Sequence, residues 1–103
     1  MARRLVWSLE AVEDIEVIAS YISRDSQYYA RAVVSRIVSS AESIPENPDM
    51  GRMVPELGNV QFRERFVHKY RLIYRVETES ILVVAVIHGS RLFEPIIGRT
   101  EGA

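Results

Sequence analysis

The sequence predicts an α+β fold in the order β-α-α-β-β-β, with an N-terminal helical hairpin packed on one face of a mainly antiparallel sheet. Two adjacent stretches near the N-terminus carry apolar residues at helical spacing. Three strand-like runs fill the C-terminal half. The two kinds of segment are segregated rather than alternating, which separates α+β from α/β. The chain has 103 residues, the size of one ordinary domain, so residues 1–103 are expected to form a single unit. With 48% apolar residues, it can bury a core without a metal or disulfide.

The first strand is short and lies within Ala2 to Trp7. Ser8 follows as a helix cap. Leu9, Val12, Ile15, Ile18, Ala19 and Ile22 then share one helical stripe. Glu10, Glu13, Asp14 and Glu16 lie between them, near the helix start where the dipole favours negative charge. This predicts a helix over residues 9–23. Arg24, Asp25 and Ser26 break it. A second apolar stripe through Ala30, Val33, Val34, Ile37, Ala41 and Ile44 predicts a helix from about residue 26 to 44, ending before Pro45. So short a break makes the pair a hairpin.

Residues 45–59 contain Pro45, Pro48, Gly51, Pro55 and Gly58 and are expected to form a long loop without a regular element. Strands are expected at Val60–Val67, Tyr70–Val76 and Ile81–His88, with turns at His68-Lys69 and Thr78-Glu79-Ser80. The last strand is continuously apolar, as a central strand is. Gly89 ends it. The tail from Ser90 carries Leu92, Phe93, Ile96 and Ile97 and is expected to fray from Gly98. The sheet face away from the hairpin is expected to be open.

Charge and composition narrow the function. Thirteen basic against fourteen acidic side chains give a net charge of −1, which argues against a polybasic binder. With no cysteine, thiol chemistry, Cys-zinc sites and disulfides are excluded, which fits a reducing cytoplasm. The longest apolar run, Ile81 to Ile87, is far shorter than the roughly 20 residues a membrane span needs. No membrane partner, metal or cofactor is expected, and the cytoplasm is the expected location. The charge is unevenly distributed. Residues 8–30 carry a net −4, and residues 61–75 a net +4 from Arg63, Arg65, Lys69, Arg71 and Arg75 against Glu64. Arg52 and Arg91 flank the basic stretch. A strand points alternate side chains the same way, so these cations are expected on the sheet, facing a nucleic acid or an acidic protein.

Several motifs, taken in order, resemble one family. They are Val6-Trp7-Ser8 with Ala11, Asp14 and Ile15, Tyr21-Ile22, Gly51-Arg52-Met53-Val54-Pro55-Glu56-Leu57, Phe62-Arg63-Glu64, Tyr70-Arg71-Leu72-Ile73-Tyr74-Arg75 and His88-Gly89-Ser90-Arg91. Together they resemble the RelE/ParE toxin superfamily from about residue 3 to 92. The resemblance implies a toxin of a type II toxin–antitoxin (plasmid stabilization) module, a cause of growth inhibition held in check by a small ParD- or RelB-like antitoxin. That antitoxin's disordered C-terminal segment would order on binding. Within the superfamily, RelE-like members are ribosome-dependent mRNA endonucleases (mRNA interferases), and ParE-like members inhibit DNA gyrase.

Cleavage through a ribose 2′-hydroxyl needs a base, an acid and cations on the phosphorane. The candidates are Glu56 as base, Arg71 and Arg91 on the phosphate, and His88 as acid or base. By resemblance, Arg71 and Arg91 match arginines that RelE nucleases keep, and Glu56 resembles the glutamate of YoeB-like members. The RelE lysine pair is replaced by Phe62 and Glu64, and its C-terminal tyrosine by Ile97. His88 lies one residue from the YoeB histidine's place, which on a strand is the other face unless a bulge intervenes. The incomplete proton-transfer set favours a ParE-like, non-enzymatic gyrase inhibitor. An mRNA endonuclease using Glu56, Arg71, His88 and Arg91 is the alternative, and a relative that only binds its antitoxin is a third reading. Target or RNA contacts are expected from Arg52, Arg63, Arg65, Lys69, Arg71 and Arg91. Leu92, Phe93 and Ile96 are expected to cap the sheet, join a dimer or meet the antitoxin.

Overall fold

The structure, a computed structural model, describes residues 3–91 and 94–101. Its elements are β1 (Arg4–Trp7), α1 (Leu9–Ser23), α2 (Gln27–Ser43), β2 (Arg52–Met53), β3 (Phe62–Val67), β4 (Tyr70–Val76), β5 (Ser80–His88) and α3 (Ile97–Glu101). The sheet order is β1-β5-β4-β3-β2. Among the described residues, only β1 against β5 is parallel; the other three pairings are antiparallel.

The predicted Ser8 cap forms, and Ser26 caps the second helix. Ser8 accepts a hydrogen bond from the Ala11 amide at 3.0 Å, and Ser26 one from the Tyr29 amide at 3.0 Å. Each satisfies a backbone donor that the first helical turn leaves open. The hairpin then lays Ala11, Ile18, Ile22, Ala30, Val33, Ile37 and Ala41 onto one face of the sheet. Val67, Tyr70, Leu72, Tyr74, Ile81, Val83 and Val86 meet them from below. Tyr70 and Tyr74 therefore serve the core, which leaves neither ring free to stack on a base from the sheet face.

Residues 45–59 hold more structure than expected. Two short 3-10 turns, Ile44–Glu46 and Pro48–Met50, lead into the edge strand β2. Gly51 is required there by close approach. A Cβ on it would lie 2.3 Å from the Tyr74 hydroxyl and 2.8 Å from the Glu64 carbonyl. The same hydroxyl accepts from the Gly51 amide at 3.1 Å and donates to the Pro48 carbonyl at 3.0 Å, pinning the loop to the centre of the sheet.

The far face is not open. Val54, Phe62, Ile73, Val84, Ala85, Ile87 and Ile96 form a second apolar cluster across it. The tail does not fray at Gly98 but turns into α3, and Arg99 holds it down. Arg99 donates to both oxygens of Asp14 on α1, at 2.7 and 3.2 Å. Asp14 also accepts from the Val86 amide at 2.9 Å, satisfying β5 where β1 no longer covers it. The Asp14 carboxylate pushes the Arg99 guanidinium further toward its charged form.

β5 carries a bulge. Ile73 pairs with Ala85 and Tyr74 with Val83, which leaves Val84 extra. Val84 and Ala85 consequently both join the second cluster, and every later side chain of β5 changes face.

Candidate functional site

The site is a chain of alternating charges on the far face of the sheet. Arg71 on β4 is buried, and Glu64 on β3 is fully so, with side-chain exposures of 6% and 0%. Glu64 is in register with Ile73, two residues along β4 from Arg71, and both side chains point away from the hairpin. The Arg71 Nε–H donates to Glu64 Oε1 at 2.7 Å. Its other two nitrogens donate to Glu56 Oε2 and Oε1, both at 2.8 Å, in a bidentate fork. Glu64 turns its second oxygen to Arg52, whose Nε–H lies 2.6 Å away. Arg52 in turn sits over the ring of Phe66. Sequence separation hides this row: Glu56–Arg71–Glu64–Arg52 spans a loop, two strands and an edge.

The electrostatics follow from the contacts. Hydrogen bonds from Arg71 hold the Glu56 carboxyl below the usual carboxylate range. The same bonds, with those to Glu64, raise the Arg71 guanidinium still further, against the cost of its burial. Two carboxylates offset two guanidiniums, so the row is neutral. A carboxylate with both oxygens on one arginine is a weak base. An arginine holding two carboxylates must release one to clamp a phosphate.

The other expected site residues lie elsewhere. A bulge does intervene, but it carries His88 onto the hairpin's face, away from Arg71, where its ring stands edge-on to Tyr70 with centroids 5.5 Å apart. Its Nδ1 accepts from the Ser90 amide at 3.1 Å. Of the four proposed catalytic residues, Glu56 and the phosphate-holding Arg71 are therefore together, while His88, the other proton-transfer candidate, is on the opposite side of the sheet. Arg91 is exposed just beyond β5. The expected basic sheet face does not form either. Arg63 donates to the Gly51 carbonyl at 2.9 Å, and Arg65 to the Ser43 hydroxyl at 2.7 Å on α2. Both are half-buried and point toward the hairpin side, where they tie the loop and α2 to β3, while Arg71 is buried on the other side. Lys69 is exposed. Ile96 is buried, 4% exposed, within the second cluster, where it caps the sheet. Leu92 and Phe93 lie outside the described residues. Among the described residues, no group of three or more His, Asp or Glu side chains is placed to hold a metal ion. Among them, too, no helix is long and apolar enough to cross a membrane.

Glu64 is the residue that sequence reasoning undervalued. Its signal is there: Phe62, Glu64 and Phe66 alternate with Arg63 and Arg65, so an acid occupies the apolar parity of a strand. Such an acid needs a cation across the sheet.

Comparison with known proteins agrees with this architecture. Residues 5–93 match the family model for the ParE toxin of the type II toxin–antitoxin system parDE. The chain is 30% identical over 90 residues to Toxin RelE2 of Caulobacter vibrioides, covering 86% of this chain and 98% of that protein. Among solved structures, a chain of the chromosomal ParDE toxin–antitoxin system of P. aeruginosa superposes with a TM-score of 0.71 at 18% identity, covering 84% of this chain and 96% of that one. A mutant of the E. coli toxin RelE in the free state superposes with a TM-score of 0.69 at 17% identity, covering 96% and 98%. At such identities the structural likenesses speak for the fold, and the family match speaks for descent. The chain belongs to the ParE toxin family, within the RelE/ParE superfamily of type II toxin–antitoxin toxins.

Proposed function

We propose that this toxin acts by binding its target rather than by cutting RNA, and that the target is DNA gyrase, with replication as the process it stops. The observation that carries the reading is the state of Arg71. The arginine that would hold a scissile phosphate is buried and shared between Glu56 and Glu64. No imidazole joins it on that face, because the bulge turns His88 away. Such a row braces the sheet. An RNase would need Glu56 free to take a proton and Arg71 free to meet the phosphorane.

Purified gyrase tests this directly. In a supercoiling assay, the toxin is expected to inhibit at a concentration that leaves ribosome-bound message intact. Message cleavage in the A site, lost on Arg91→Ala, would instead establish the nuclease reading. The antitoxin partner supports either version. Several structurally similar chains come from toxin–antitoxin complexes, such as RelBE2 of Mycobacterium tuberculosis and YoeB–YefM of Staphylococcus aureus. We infer a cognate antitoxin for this chain and a cytoplasmic site of action, where gyrase works.

A further inference from the structure

We propose that one end of the molecule, formed by the β3–β4 turn, the end of β5 and the α1–α2 joint, binds single-stranded nucleic acid. The fold brings together there residues that the row around Arg71 does not use. Tyr70 pairs with His88 across β4 and β5, and the Gly89 amide donates to the Lys69 carbonyl at 2.8 Å. The turn that carries Lys69 and the segment that leads to Arg91 therefore lie side by side. Tyr29 from α2 is hydrogen-bonded to His68 through its hydroxyl and stands edge-on to it, with centroids 5.6 Å apart. Arg24, at the end of α1, lies 5.9 Å over the ring of Tyr21.

Two properties of this end point to the ligand. The first is charge. Residues 21–29, 68–70 and 88–91 carry Arg24, Lys69 and Arg91 against Asp25 alone, a net of +2 in a chain whose net is −1. All three cations are exposed. The second is aromatic surface. Tyr21 is 66% and Tyr29 45% exposed, and rings beside cations are what single-stranded bases and their phosphates take up together. His68 holds a left-handed backbone, with φ 59°, as the first residue of a two-residue hairpin turn does.

Fluorescence anisotropy with labelled oligo-dT and oligo-rU tests it on the full chain. Three phosphate contacts predict a slope of about −2 in a plot of log affinity against log salt. Lys69→Gln should flatten that slope by about 0.7. Tyr21→Ala should weaken binding about tenfold through lost stacking. Arg4→Gln, on β1 and outside this end, should leave it unchanged. A preference for dT or rU would say which strand is taken. Failure of the folded wild type to bind either oligonucleotide would overturn the proposal. So would binding that Lys69→Gln and Tyr21→Ala leave intact. If these substitutions weaken only the antitoxin complex, the surface is a protein interface and the proposal falls.

Discussion

The two faces of the sheet use arginine in opposite ways. On the hairpin side, Arg63 and Arg65 cross toward the loop and α2 and end on neutral oxygens, the Gly51 carbonyl and the Ser43 hydroxyl. On the far side, Arg71 is buried between two carboxylates. The first pair tacks the hairpin and loop to the edge of an apolar core. The second arrangement replaces part of a core. Strand parity alone decides which fate each arginine meets, so a stretch that reads as one basic surface becomes two sets of internal ties. A third set, Lys69 and Arg91 beyond the strand ends, stays exposed. Any polyanion meets that set first.

The comparison can be broken most sharply at Glu64. Glu64→Ala leaves Arg71 buried with one partly exposed carboxylate, and removing one member of a buried pair costs about 3–5 kcal/mol. The urea midpoint should fall accordingly. A loss below about 1 kcal/mol, the range of exposed pairs, would show that the row braces nothing.

Leu72 and Ile73 are neighbours on β4 with side chains on opposite faces, and both are fully buried. Leu72→Ala and Ile73→Ala should each cost about 2–5 kcal/mol. Equal losses would establish the far face as a true second core. A near-neutral Ile73→Ala would leave it a thin cover.

Arg99→Ala removes the tie between α3 and α1. The pair is only partly exposed, at 26% and 16%, yet no more than about 1 kcal/mol is expected from it. The sharper readout is faster proteolysis of the tail.

The smallest effect is pH-dependent. Glu56 has a folded pKa below its ordinary value of 4.5, so its contribution is present above that value and is lost as pH falls through the folded pKa. Its side chain is 38% exposed, which keeps the contribution under about 1 kcal/mol. Glu56→Gln should lower neutral stability by that contribution and flatten the acid limb below pH 4.5, the two proteins converging in acid. An acid limb identical to wild type would mean that the fork contributes nothing in solution.

The order and type of the main elements were legible because their signals are local. The Ser8 cap, both helical stripes and the strands β3 to β5 follow from spacing. What stayed hidden depends on pairing between distant segments. The bulge at Val84 sits inside an unbroken apolar run, Ile81 to Ile87, where nothing marks an extra residue. That single residue sends His88 to the opposite face from Arg71. β2 has two residues, too few for any period. α3 is five residues long and is fastened by Asp14, which lies far away in the chain. Of the candidate site, the pairing of Glu56 with Arg71 lay within reach of the sequence, since a loop acid beside a strand arginine commonly pairs with it. The role of Glu64 needed the register of β3 on β4.

Brief induction of the toxin in bacteria lacking its antitoxin, with labelled thymidine and leucine followed over the first minutes, tests the central claim most directly. An Arg71 already shared between two carboxylates predicts early loss of thymidine incorporation while leucine incorporation continues. Early loss of leucine incorporation, with thymidine incorporation intact, would contradict that account. It would mean that Glu56 and Arg71 part to receive a phosphate.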